Sequence, residues 1–318
     1  PYIAMDKNNL ASVMQDKGEF AEAERLYRES LALNQRVGGP EHPETITSMS
    51  NLGVLLSRAG DFEAAGRYLR EALATRARVL GDEHPSTLTS QFILAVYLHG
   101  IEQFDAARAS FEDNLVLRRR ILGDRHPLVA NTLLAYGALL GDMGQVEDAL
   151  RAVNLGVEIN HEAHGDSHPA IAKSYYVLGN IAAAHGDAET AESAYQQSLT
   201  QYGRFLRPTH PQVARVLTAY GAQLVTAGRS REALPLLEKA FAIQQGELPR
   251  GHWETGVTRS VLGSCQSLLA LPGAGPNLEE GLRILVESRG ETHSQSLLAA
   301  ARLEAHRPGR PSAAVAHD

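Results

Sequence analysis

Six histidines, His42, His84, His126, His168, His210 and His252, recur every 42 residues. The first five are each followed by proline: Pro43, Pro85, Pro127, Pro169 and Pro211. Trp253 follows the sixth, and a seventh, His293, arrives after 41 residues. Imidazole is the commonest protein metal ligand, so the ladder raises the question of zinc. Zinc–nitrogen bonds are about 2 Å long, which requires two ligand rings to lie almost in contact. If each 42-residue unit is two helix layers with axes 8–10 Å apart, successive histidines stand roughly 16–20 Å apart and share no ion. The expected role is structural: each histidine lies at a helix junction and hydrogen-bonds nearby backbone.

The other groups capable of chemistry are sparse. His161, His164 and His168 sit close together with Glu162 and Asp166, and we expect solvated polar residues at a turn rather than a metal site. Cys265 is the only cysteine, so no intrachain disulfide forms, and a reducing, cytoplasmic setting is expected. It follows Gly263 and reads as a small core residue rather than a nucleophile. There is no phosphate-binding GxxxxGKS loop, no GxSxG elbow, no HExxH and no kinase catalytic loop. Asp61-Phe62-Glu63 shares two letters with a kinase magnesium motif but matches Glu19-Phe20 and Gln103-Phe104 in the period. No catalytic residue, cofactor or metal is predicted.

The elements that carry these residues are legible from the period itself. In the unit Pro43–His84, Ile46, Met49, Leu52, Gly53 and Leu56 fall at helical spacing. Ala59-Gly60-Asp61 interrupts the pattern, with Gly suited to end one helix and Asp to begin the next. Phe62, Ala65, Leu69, Ala72, Leu73 and Leu80 form a second helical stripe, and Gly81-Asp82 closes it. Proline after each histidine suits the first turn of the following helix, where its missing N–H has no partner to lose. Each unit is therefore two antiparallel helices. Laid over one another, Leu10-Ala11, Leu52-Gly53, Leu94-Ala95, Tyr136-Gly137, Leu178-Gly179, Tyr220-Gly221 and Leu262-Gly263 fall in register. So do Ala23, Ala65, Ala107, Ala149, Ala191 and Ala233. Small residues at fixed places let neighbouring helices approach closely.

A large residue followed by Gly or Ala in the first helix, then Ala in the second, resembles the tetratricopeptide repeat, whose usual period is 34. The first unit, KNNLASVMQDKGEFAEAERLYRESLALNQRVGGPEHPET, resembles the 42-residue repeats of kinesin light chains and their bacterial relatives. This resemblance implies an all-α, right-handed superhelix (an α-solenoid) of about seven helix-turn-helix repeats. Their spans are about 1–42, 43–84, 85–126, 127–168, 169–210, 211–252 and an atypical capping repeat over 253–303. Residues 304–318 read as a disordered tail. The last unit carries LPGAGPN between Leu269 and Leu278, read as an insertion in the turn, followed by a helix from about Leu278 to Ser288, roughly two turns short. A final helix is expected from about Thr292 to Ala305. Counting 42 residues back from Pro43 lands on Pro1, which gives the expectation that the chain is cut from a longer polypeptide. The stretches HWETGVTRSVLGSCQSLLALPG and LEAHRPGR resemble the end of bacterial proteins in which such repeats follow a serine/threonine kinase domain, and similar arrays follow the nucleotide-binding module of signalling ATPases. That second resemblance implies a regulatory or sensor arm, in contact with an N-terminal domain of the same polypeptide.

The family resemblance implies that this chain is a scaffold binding a protein or peptide in a concave groove lined by the first helices. Asn8, Asn9, Asn51, Arg58, Phe92, His99, Tyr176, Asn180 and Arg215 are expected to line it, with Ser50, Leu134 and Thr218 among their neighbours. In the kinesin-light-chain-like repeats the Asn before Leu-Gly or Leu-Ala faces the groove, which matches Asn9 and Asn51. Later units carry Ile93, Ala135, Val177 and Ala219 there, so the amide row gives way to apolar groups. The net charge of −7, with both signs interspersed, argues against nucleic acid or an anionic membrane as partner. No apolar run approaches the roughly 18 residues of a membrane span.

Overall fold

The computed structural model describes residues 2–16, 19–166 and 168–306. Among them lie fifteen helices and no strand. The first helices of the repeats are α1 (Tyr2–Asp16), α3 (Pro43–Ala59), α5 (Pro85–Gly100), α7 (Pro127–Asp142), α9 (Pro169–Ala184), α11 (Pro211–Thr226) and α13 (Trp253–Leu268). The second helices are α2 (Phe20–Gly38), α4 (Phe62–Leu80), α6 (Phe104–Leu122), α8 (Val146–His164), α10 (Ala188–Tyr202), α12 (Ser230–Glu247) and α14 (Ala274–Arg289). A further helix, α15 (Ser294–His306), packs on α13 and α14. The chain divides into two compact units, Pro1–His185 with α1–α9 and Gly186–Asp318 with α10–α15. Residues 307–318, expected as a tail, lie outside the described residues.

The histidine ladder is a set of helix caps. At each of the six positions the backbone is extended and the imidazole Nδ1 accepts a hydrogen bond from the N–H two residues on. The distances are 3.3 Å from Glu44 to His42, 3.1 Å from Ser86 to His84 and 3.1 Å from Leu128 to His126. The remaining three are 3.1 Å at His168, 3.1 Å at His210 and 3.3 Å at His252, and His293 caps α15 from Gln295 at 3.2 Å. The first N–H groups of a helix have no intrahelical acceptor, and a side-chain acceptor at the cap satisfies one of them. The proline that follows removes another such donor and fixes φ for the first turn. Asp61 and Asp187 do the same work for α4 and α10, accepting from Ala64 at 3.1 Å and Thr190 at 3.0 Å. Between α3 and α4 the chain reverses at Gly60, whose φ of 92° is a left-handed conformation that glycine adopts without strain.

The small-residue register is the tightest part of each hairpin. Ala11, Ala23, Ala65, Ala95, Ala107, Ala149, Ala191 and Ala233 are all completely buried. At Gly263 an added Cβ would stand 2.9 Å from the Ala274 carbonyl oxygen and 2.9 Å from the Leu278 backbone nitrogen. No side chain fits there without moving one backbone off the other.

The last repeat differs from the sequence expectation. α14 begins at Ala274, so Ala274, Gly275, Pro276 and Asn277 form its first turn rather than a loop. Pro276 is tolerated because an N–H in the first turn has no partner anyway. Only Leu269–Gly273 connects the helices, with Gly273 at a φ of 93°. α14 spans 16 residues against 19 in α4 and α6, a shortening of under one turn rather than two.

Two measurements of thermal unfolding check this packing. Gly263→Ala should lower stability by about 1–3 kcal/mol, the usual cost of forcing atoms into a filled contact. Gly246→Ala, in α12 with open space around it, should raise stability by up to about 1 kcal/mol through helix propensity. A rise in melting temperature for Gly263→Ala would contradict the close approach.

Candidate functional site

The site expected on the first helices is built by their contacts with one another. In unit 1, α3 touches α5, α5 touches α7, and α7 touches α9, whereas among the described residues no two second helices approach as closely. The row of first helices is thus the more closely packed side of this unit. Asn51 on α3 donates its amide to Asn8 Oδ1 on α1 at 3.1 Å. His99 on α5 reaches Asp142, the last residue of α7, at 2.7 Å through Nε2. The His99 ring also tilts against Phe104, 6.0 Å away.

The expected residues are not all alike. Asn8 and Asn51 are half-buried, while Asn9 and Arg58 are exposed. Phe92 is half-buried because its ring packs edge-on to Phe111 at 6.1 Å and carries the Arg118 guanidinium 5.0 Å above it. Tyr176 and Asn180 are half-buried on α9. These seven residues and His99 belong to unit 1. Arg215 belongs to unit 2, where its guanidinium pairs with Glu254 of α13, only 5% exposed, and also contacts Gln212 Oε1 at 3.3 Å. Ser50, Leu134 and Thr218 are buried. The Thr218 hydroxyl lies 2.8 Å from Thr258 between α11 and α13, so these three face helices rather than solvent.

The histidine cluster is similarly absorbed by its surroundings. His164 and His168 stack with ring centres 4.0 Å apart. Burial, with His168 beside it, holds the His164 pKa below its usual value. His161 meets Asp166 at 3.0 Å and the Tyr175 hydroxyl at 3.2 Å. Among the described residues no group of three His, Cys, Asp or Glu side chains is placed to hold a metal ion. The Cys265 thiol is buried 3.2 Å from the Ser230 carbonyl oxygen, and burial pushes its pKa up.

A second ladder with the same period is one that the sequence reading passed over. Asn34, Arg76, Arg118 and Asn160 lie 42 residues apart on the second helices of unit 1, and all are buried. Opposite them, on the following first helices, stand Ser48, Ser90, Thr132 and Ser174, also 42 apart and buried. Asn34 donates to Ser48 at 3.1 Å, Arg118 to Thr132 at 2.8 Å, and Asn160 to Ser174 at 3.0 Å. Arg76 bonds to Ser90, and to Thr47 at 3.1 Å. Arg118 is 1% exposed and also donates to the Leu128 carbonyl at 2.9 Å. Its bonds go to neutral oxygens, and burial pushes its pKa down to about 10, so it stays charged at neutral pH. The signal was present in the sequence as a polar residue repeating on otherwise apolar faces.

The helix-hairpin repeat with its small-residue register matches one family. The tetratricopeptide repeat family profile fits residues 3–76, 55–115, 94–160 and 186–246, together well over half of the chain. The chain belongs to the tetratricopeptide repeat family. A putative kinesin light chain from Podosopora anserina with nearly identical tetratricopeptide-like repeats is 26% identical over 64% of this chain and 97% of its own, with a TM-score of 0.50. BtubC (BKLC) from P. vanneervenii is 19% identical over 73% of this chain and 90% of its own, with a TM-score of 0.53. A Rap protein complexed with competence and sporulation factor is 13% identical, covers 96% of this chain and 98% of its own, and has a TM-score of 0.61. These last two likenesses concern the fold alone. No curated protein matches this chain in sequence.

The polar ladder is testable by a double-mutant cycle. Thr132→Val should cost about 1–3 kcal/mol because Arg118 loses a buried acceptor. Combining it with Arg118→Leu should cost less than the sum of the single changes, since the pair is then removed together. Strict additivity in denaturant unfolding would show that the two side chains do not depend on each other.

Proposed function

We propose that this chain is a non-catalytic scaffold that binds an extended segment of a partner protein along the first-helix row of unit 1. The observation that carries the reading is the row itself, in which touching first helices present half-buried amides and aromatics beside exposed polar groups. Asn8, Asn9 and Asn51 offer amides that both donate and accept, which suits the alternating N–H and C=O groups of an extended backbone. Arg58, at the last turn of α3, adds a cation that favours an acidic side chain or a terminal carboxylate on the partner. Phe92, His99 and Tyr176 supply apolar and aromatic surface farther along. The solved complex of a Rap protein with competence and sporulation factor shares the fold and is consistent with a protein-binding role for it.

Nucleic acid is disfavoured as a partner by the net charge of −7. No described helix is long and apolar enough to cross a membrane. The side chains that catalysis would recruit have other work here: the ladder histidines cap helices, and Cys265 is buried against backbone.

Selection of a random peptide library on the purified chain tests the reading. Enriched peptides should bind Asn51→Ala/Arg58→Ala at least about tenfold more weakly, a change of about 1.4 kcal/mol. The melting temperature should hardly change, because both side chains lie outside the apolar core. Arg67→Ala, on the exposed side of α4, should leave binding unchanged. Peptides indifferent to the first pair and sensitive to the second would move the site to the second helices.

A further inference from the structure

A cavity of about 410 Å³ opens between α4 and α6 in unit 1. Leu73 and Ala77 of α4 line one side of it, and Val116 and Leu117 of α6 line the other. Val116 is 66% exposed, so apolar surface extends to the mouth. Two exposed carboxylates border the same cavity: Asp113 on α6 and Asp82 in the turn between α4 and α5. Thr87 and Gln91 of α5 also line it, but both are engaged. The Thr87 hydroxyl donates to the Gly81 carbonyl at 2.8 Å, and Gln91 Oε1 accepts from the Asn114 amide at 3.0 Å.

The 42-residue period shows which side chain accompanies such a carboxylate elsewhere in the chain. Asp124 and Asp166 are the counterparts of Asp82 one and two repeats on. Each meets a nitrogen-bearing side chain five residues earlier. Arg119 Nε stands 3.8 Å from Asp124, and His161 Nδ1 stands 3.0 Å from Asp166. The residue five before Asp82 is Ala77. A methyl group therefore stands where the next two repeats carry a guanidinium and an imidazole. The arginines closest in sequence are committed elsewhere: Arg76 to Ser90 and Thr47, Arg78 to Glu41, and Arg120 to Glu83. Among the described residues no ion pair takes up Asp82 or Asp113.

We propose that this cavity receives an arginine side chain of a partner protein. The three methylenes of the arginine lie along Leu73, Ala77, Val116 and Leu117, and its guanidinium meets the two carboxylates at the rim. Apolar walls alone would accept any hydrophobic side chain, whereas the unpaired carboxylates select a long cation. Arginine suits them better than lysine, because its planar fork donates to two acceptors at once and is more weakly hydrated than an ammonium group. Free arginine suits the cavity less than arginine in a peptide. Its α-carboxylate would meet Asp82 and Asp113, while Thr87 and Gln91 already have partners. A peptide brings neutral amides in its place. The cavity shares no residue with the first-helix row described above, and its occupant is independent of what that row binds.

An NMR titration of the whole chain with labelled methyl groups tests the proposal. The probes are capped Gly-Gly-Arg-Gly-Gly and the same peptide with neutral citrulline in place of arginine. The arginine peptide should shift the methyls of Leu73, Ala77, Val116 and Leu117 saturably, and the citrulline peptide should bind at least about tenfold more weakly. Asp82→Asn combined with Asp113→Asn should weaken the arginine peptide by a similar factor, with an unchanged circular dichroism spectrum because both positions are exposed. Ala77→Arg supplies from within the chain the side chain that Arg119 supplies one repeat on. It should abolish peptide binding and leave the melting temperature no lower than the parent's. No saturable shift at these four residues, equal binding of the two peptides, or binding indifferent to all these substitutions would overturn the proposal. Free arginine bound as tightly as the capped peptide would overturn it in favour of a small-molecule site.

Discussion

Each first helix in this protein has two apolar faces, and its own repeat covers only one. In α3, Gly53 meets Ala65 and Leu69 of its partner helix, while Leu52 and Leu55 are buried with Thr45 and Ser48 against α2. A fully buried leucine contributes roughly 1.5–3 kcal/mol relative to an exposed one, so the second face matters as much as the first. No repeat can satisfy this demand alone, which is why the pattern recurs along the chain instead of closing on itself. The 42-residue period, the small-residue register and the histidine-capped entries to α3, α5, α7, α9, α11 and α13 all serve this alternation.

The interface between repeats is apolar but not wholly so. Arg76 and Arg118 are buried with hydroxyl and carbonyl acceptors. Removing a guanidinium from water costs several kcal/mol, and neutral acceptors return only part of it. Apolar side chains tolerate sliding by a turn, whereas a polar rung bonds only when residues 76 and 90, or 118 and 132, stand opposite. The ladder thus specifies how each second helix registers on the next first helix. The stacking of Arg118 over Phe92 ties this register to the first-helix row, since the same ring lies on both.

Much of the fold was legible because it rests on local rules repeated many times. A histidine before proline announces an extended cap followed by a fixed first turn, and five copies removed the ambiguity of one. Gly or Ala at the same place in successive helices announced close axes. What escaped was non-local or unrepeated. The Asn34–Ser48 and Arg118–Thr132 rungs join residues on different helices, and each partner alone resembles a tolerated polar residue on an apolar face. LPGAGPN looked like a loop because glycine and proline usually mark one, yet the first turn of a helix accepts proline where its interior does not. Arg215 looked available for a ligand from α11 alone, and only α13 brought Glu254 to it. Thr218 was hidden by the same neighbour.

Hydrogen exchange resolved along the chain tests the neighbour constraint most directly. If both faces must be covered for full protection, amides in the middle of α3, flanked by α2 and α4, should exchange only through opening of several helices together. Amides in the middle of α1, covered on one face, should exchange at least about tenfold faster, corresponding to an opening about 1.4 kcal/mol cheaper. Equal protection of the two helices would show that a repeat's own hairpin suffices, and the account of a chain held together by its neighbours would be contradicted.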